Sequence, residues 1–170
     1  MTARISSGPD SSQEYGTPWK VLNAIRKHFP LGLDLCANEQ NHKCPRWFGP
    51  GGEVEDAFSV NWDPLPRGEF YFLNPPYGDI ASWYARARIF SGSGALIISF
   101  VPMDTAEAWF NYVPYHVGIW HLQGRIKFDG ALQAGPKDSC LHIWGPTDHI
   151  NTFRVWNWRT GRFLLEIPRK

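Results

Sequence analysis

The sequence predicts an α/β layer fold, a mostly parallel sheet flanked by helices, with an antiparallel strand or hairpin at its C-terminal end. Three observations predict it. Short apolar runs alternate with amphipathic stretches, as in strands joined by helical crossovers. Clusters of Gly, Pro and Ser punctuate the runs where turns are needed. The last apolar run, FRVWNWRTGRFLLEI, is interrupted at Thr160-Gly161 in the manner of a hairpin. At 170 residues and 43% hydrophobic content the chain suits one domain with a sizeable core.

Residues 1–16, polar and rich in Ser and Gly, read as a flexible N-terminal arm, leaving 17–170 as a single domain. Thr17-Pro18 reads as a helix start, with Thr17 as N-cap and Pro18 at the first helical position. Trp19, Leu22, Ile25 and Phe29 follow at helical spacing, and Pro30 ends the run. LGLDLCA (31–37) is an apolar strand carrying one carboxylate, Asp34. Arg46-Trp47-Phe48 is a second strand, GPGG (49–52) a loop, and Val54–Trp62 a short helical turn. EFYFLN (69–74) is an aromatic strand that runs directly into Pro75-Pro76-Tyr77-Gly78. Ile80–Phe90 is a helix, SGSG (91–94) a turn, ALIISFV (95–101) a buried strand and Thr105–Tyr112 a further helix. VGIWHLQG (117–124) and SCLHIWG (139–145) are strands, separated by a polar insert over 125–138.

Charge and composition narrow the function. Seventeen basic against sixteen acidic residues exclude a polybasic tail or a uniformly basic surface, but not a local basic groove. No apolar run approaches the ~20 residues of a membrane span, and no signal peptide is visible, so a cytoplasmic protein is expected. Three cysteines, at 36, 44 and 140, do not form a disulfide framework. Cys36, His42 and Cys44 lack a fourth ligand at suitable spacing, so no metal site is expected. Aromatic residues, at 15% with nine Trp, exceed the needs of a small core; Trp156 and Trp158 are expected on an exposed or paired surface of the tail. Arg86 and Arg88 read as surface charges.

The sharpest feature is Asn74-Pro75-Pro76-Tyr77 at the end of a strand, where α/β sheets bind ligands. Two prolines fix the backbone and remove two N–H donors, leaving carbonyl acceptors. Asn adds another acceptor and Tyr a flat ring. Such a turn can hold a planar ring that carries an exocyclic amine.

This motif, with Thr17-Pro18, LDLCAN (33–38), Asp56-Ala57-Phe58 followed by Trp62, and Gly124-Arg125-Ile126-Lys127-Phe128, resembles the S-adenosylmethionine-dependent amino-methyltransferases. More closely it is similar to the phage and prophage DNA N6-adenine methyltransferases, called Dam-like, over roughly residues 15–145. The resemblance implies a Rossmann-like methyltransferase fold acting on double-stranded DNA, in the bacterial host cytoplasm if phage-encoded. It implies that Asn74, Pro75, Pro76 and Tyr77 hold a flipped adenine. Thr17, Pro18, Asp34, Cys36, Ala37, Trp47, Asp56 and Phe58, with Asn74 bordering them, would hold S-adenosylmethionine. Asp34 would engage the methionine ammonium and Asp56 the adenine amine of the cofactor. Arg125, Lys127 and Lys137 would face DNA, with 125–138 as the recognition insert. No Gly-x-Gly follows Asp34, a departure from the broader methyltransferase pattern. Other acceptors (N4-cytosine, RNA adenine, protein glutamine) share the pocket logic. A non-catalytic nucleic-acid-binding module and a Trp-lined apolar-ligand domain are the rivals from other classes.

Overall fold

A computed structural model describes residues 16–135 and 137–168. The arm predicted over 1–16 lies outside them except for Gly16, as does Pro136 of the insert. Eight strands build one mixed sheet: β1 (Leu31–Asp34), β2 (Arg46–Trp47), β3 (Phe70–Leu73), β4 (Ile97–Pro102), β5 (Gly118–Leu122), β6 (Ser139–Trp144), β7 (Thr152–Asn157) and β8 (Arg162–Pro168). Their order is β2-β1-β3-β4-β6-β5-β7-β8. The ladders β2-β1-β3-β4 and β5-β7 are parallel. β6 runs antiparallel to both β4 and β5, and β8 antiparallel to β7. The sheet is therefore more mixed than the sequence predicts, because β6 returns between two strands that are parallel to each other.

Alternation along the strands sorts the core onto two faces. Phe70, Phe72, Ile98, Phe100, Leu141 and Ile143 point to one face, where Val21, Leu22 and Ile25 of helix α1 (Trp19–Arg26) cover them. Tyr71, Leu73, Ile97, Val101 and Cys140 point to the other, against Ile80, Trp83, Tyr84 and Ala87 of helix α2 (Ile80–Gly92). A polar cluster sits within this second face. The Tyr84 hydroxyl lies 2.8 Å from both Ser99 Oγ and His142 Nδ1, and the Trp144 indole donates to Ser99 Oγ at 3.0 Å. All four side chains are buried and all are satisfied, as buried polar groups must be.

Several local expectations are revised. Pro18, not Thr17, is the residue before α1, and no side chain caps the helix. Helix α1 ends at Arg26, three residues before Phe29, and the chain turns toward Pro30. The helix expected over Thr105–Tyr112 is reduced to a 3-10 segment, Ala108–Tyr112. Asp104 accepts the Ala106 N–H at 3.3 Å, a local turn that competes with a helical start. Trp156 is fully buried rather than displayed on the tail. Trp158 is half-buried, with the Arg159 guanidinium 4.4 Å from its ring centre. The expected hairpin around Thr160-Gly161 is present as β7 and β8. One register shift lies between Val155 and Trp156, where Leu165 and Phe163 are the successive partners and Leu164 is the extra residue.

Strand direction fixes where the loops gather. β1, β2, β3, β4, β5 and β7 all point the same way, so Asp34, Trp47, Leu73, Pro102, Leu122 and Asn157 end on one edge. The chain leaves β1 for β2 on one side and returns to β3 on the other. The topological switch point, where such sheets open a crevice, therefore lies between Asp34 and the turn after Leu73.

Candidate active site

The Asn74–Tyr77 turn leaves β3 at this crevice. Pro75 is buried, Asn74 and Pro76 are half-buried, and the Tyr77 side chain is 41% exposed. Tyr77 opens a 3-10 turn, Tyr77–Asp79, closed by the Asp79 N–H donating to the Pro76 carbonyl at 3.0 Å. Desolvation pushes the Tyr77 phenol up to about 12, so the ring is neutral across the working range. The Asn74 amide Nδ2 donates to Thr17 Oγ1 at 3.1 Å, across 57 positions of sequence. Among the described residues nothing donates to Asn74 Oδ1 or to the Pro75 carbonyl. Two acceptors and one half-exposed ring are thus presented together.

Asp34 is only 3% exposed, at the tip of β1. Its Oδ2 accepts the Lys43 N–H at 2.9 Å and its Oδ1 the Cys36 N–H at 3.3 Å, so the carboxylate organises the loop 35–43. Burial pushes the Asp34 carboxyl up to about 6, against the pull of those two N–H bonds. The carboxyl thus holds its proton more tightly folded than unfolded, where the value is 3.8. Its charge costs the fold on the order of 3 kcal/mol at pH 7, a cost relieved as pH falls through 6 toward 4. Wild type is therefore expected to gain stability relative to Asp34→Asn as pH drops from 7 to 4.5. Parallel denaturation midpoints for the two proteins over that window would refute this.

Cys36 and Ala37 follow on the same loop; burial holds the Cys36 thiol protonated, up to about 12. The Ala37 N–H donates to the Phe48 carbonyl at 3.2 Å, and Gly49 sits so close to Ala37 that any side chain there would overlap the Ala37 carbonyl. Gly49 also has φ +126, so glycine is required twice over. Trp47 stacks its ring on His42 at 4.1 Å and 7°. Asp56 is exposed; its Oδ1 accepts the Phe58 N–H at 2.8 Å and starts the 3-10 segment Ala57–Ser59. Phe58 meets Trp83 edge-on at 4.7 Å.

Arg86 departs from its surface reading. It donates to the Val60 carbonyl at 2.8 Å, and its guanidinium lies over Phe58, Trp62 and Phe90 at 5.1, 5.6 and 5.2 Å. It clamps the Asp56–Trp62 segment to α2.

The insert lies on the same edge and docks beside the motif. The Asp129 N–H donates to the Gly16 carbonyl at 3.0 Å, and Lys43 Nζ lies 3.6 Å from the Asp129 carboxylate. Arg125 and Lys127 are exposed. Lys137 is exposed and forms an ion pair with Asp104. Sequence reasoning overlooked Lys43, Asp129 and the Thr17–Asn74 bond, and misread Arg86 as a surface charge. All four depend on long-range contacts that no local pattern announces. Among the described residues no group of three His, Cys, Asp or Glu is placed to hold a metal ion, and no helix is long and apolar enough to cross a membrane.

No curated protein matches the chain. The family model for DNA N-6-adenine-methyltransferase (Dam) matches residues 7–157, a span that includes the Asn74–Tyr77 turn, the loop after β1 and the insert. The chain belongs to the Dam family of DNA N-6-adenine-methyltransferases.

Proposed function

We propose that this chain transfers the methyl group of S-adenosylmethionine to the exocyclic N6 amine of an adenine flipped out of double-stranded DNA. The observation that carries the reading is the pair of unoccupied acceptors, Asn74 Oδ1 and the Pro75 carbonyl, beside the Tyr77 ring at the switch-point crevice.

The amine of adenine is a weak nucleophile because its lone pair is delocalised into the ring. Asn74 Oδ1 and the Pro75 carbonyl would accept its two N–H groups, favouring a pyramidal nitrogen whose lone pair is free to attack. Tyr77 would stack on the flipped base and offset part of the few kcal/mol of unstacking. These are contributions of position and of fixed dipoles. When bound, the cofactor supplies a methyl group on a sulfonium leaving group.

The residues on the edge fit that cofactor. Asp34 offers an anion near the crevice for an ammonium, and it holds the loop that carries Cys36 and Ala37. Asp56 keeps its Oδ2 for an adenine amine, and Phe58 and Trp47 would supply aromatic rings. Thr17-Pro18 lies against Asn74, where the methionine end would lie.

Incubation of purified protein with labelled S-adenosylmethionine and duplex DNA, followed by nucleoside analysis, tests the proposal. N6-methyladenine is the expected product. Label in N4-methylcytosine, in RNA only, or in protein would overturn the acceptor assignment. Calorimetry showing no cofactor binding, with or without DNA, would leave a nucleic-acid-binding module instead.

Arg125, Lys127 and the insert would contact DNA. Lys127→Ala is expected to weaken duplex binding and reduce the slope of log K against log salt by about 0.9, one phosphate's share. An unchanged slope in a titration series removes Lys127 from the contacts.

A further inference from the structure

We infer that Thr17 is a positioning residue for Asn74, its hydroxyl anchoring the amide before the methyl acceptor arrives; this rests on the reading just proposed. With Nδ2 bonded to Thr17, Oδ1 is left for an incoming amine. Without that bond the side chain would rotate among several orientations, and its ordering would add to the barrier of the reaction.

Anchoring needs a partner that is itself fixed, and Thr17 is placed to serve. It is 1% exposed, and its Oγ1 receives Nδ2 at 3.1 Å. Asn74 itself is half-buried, so water can compete with any weaker restraint. Thr17 does not cap α1, so its hydroxyl is not spent on the helix. The backbone that carries it is also pinned: Gly16 accepts the Asp129 N–H at 3.0 Å, while the Pro18 carbonyl receives the N–H groups of Val21 and Leu22, each at 3.0 Å. Thr17 is thus held between the first turn of α1 and the insert, and movement of the insert would reach Asn74 through one residue.

Comparison of Thr17→Ala with Thr17→Ser isolates the hydroxyl, since both lack the methyl group. Methyl transfer to duplex DNA under saturating cofactor should fall roughly tenfold or more in Thr17→Ala and recover most of the loss in Thr17→Ser, with DNA affinity unchanged. A fall in cofactor affinity with an unaltered saturated rate would overturn the inference and leave Thr17 as a cofactor contact alone. Equal rates in the two variants would overturn it as well. A second readout needs neither cofactor nor DNA. The Asn74 side-chain NH2 resonances, assigned by their disappearance in Asn74→Asp, should be shifted and slowly exchanging in wild type and Thr17→Ser. In Thr17→Ala they should move to free-amide positions, and if they stay in place the inference fails. Should the wild-type protein methylate no nucleic acid, the functional reading falls, while the resonance experiment still decides whether Thr17 fixes the amide.

Discussion

Replacing Asn74 by alanine is expected to lower methyl transfer about 10²–10³-fold, the usual cost of removing one preorganised polar group aimed at the reacting atom. The expected loss is specific. Asn74 is half-buried at a turn, and its side-chain bond to Thr17 is worth only about 1 kcal/mol to the fold. The thermal midpoint and cofactor affinity should therefore stay close to wild type. Tyr77 gives a graded comparison. Tyr77→Phe keeps the ring and should keep most activity, whereas Tyr77→Ala forfeits base stacking of about 1–3 kcal/mol. Single-turnover transfer of labelled methyl, with calorimetry on the same preparations, checks both. Wild-type turnover in purified Asn74→Ala would end the assignment of this turn as the active site.

The largest expected effect on stability is at Trp120. This side chain is fully buried at the centre of an aromatic cluster on the α1 face of the sheet. It contacts Phe29 at 5.0 Å, Trp156 at 5.6 Å and Phe163 at 4.7 Å, with His28 edge-on at 5.1 Å. The Arg154 guanidinium lies 5.3 Å from its ring centre. Trp120→Ala is expected to cost about 3–5 kcal/mol, a large share of the roughly 5–15 kcal/mol that holds a domain folded. Trp120→Phe should behave quite differently. The Trp120 indole N–H is buried with no hydrogen-bond partner among the described residues, so phenylalanine removes an unsatisfied donor while retaining a ring. Its cost is expected to stay near 1 kcal/mol. Denaturant unfolding of both variants measures the contrast, and equal losses would show that shape rather than the N–H governs the position.

The central strands were legible because they are short apolar runs with Gly or Pro close to their ends. β3 and β4 are nearly continuous buried runs, and both lie close to their sequence boundaries. The strand order was not legible. Placing β6 between β4 and β5 depends on pairings such as Phe100 with Leu141, set by which edges meet in the folded sheet. The Thr17-Pro18 start misled for a related reason. Thr is a good N-cap in isolation, but here its hydroxyl has a partner 57 residues away. At the site, Asn74–Tyr77 declared itself because its chemistry is contained in four adjacent residues. Asp34 was visible as a residue, yet its role in ordering the loop depends on the backbone of Lys43, nine positions on. Arg86 was misread because arginine on a helix usually faces water, whereas this one finds three aromatic rings and a carbonyl.

The extra residue at Leu164 bears on how the protein behaves when concentrated. β8 ends the sheet, every one of its residues is exposed, and Leu164, Leu165 and Ile167 give it an oily character. A straight strand of that kind is a template for fibrillar growth. The bulge bends β8 and offsets the alternation of its side chains, so that Arg162 and Glu166 fall on opposite sides of the sheet. A second copy laid antiparallel about Leu164 would find neither a straight ladder nor opposite charges facing one another. One inserted residue thus makes the outer strand a poorer template for copies of itself.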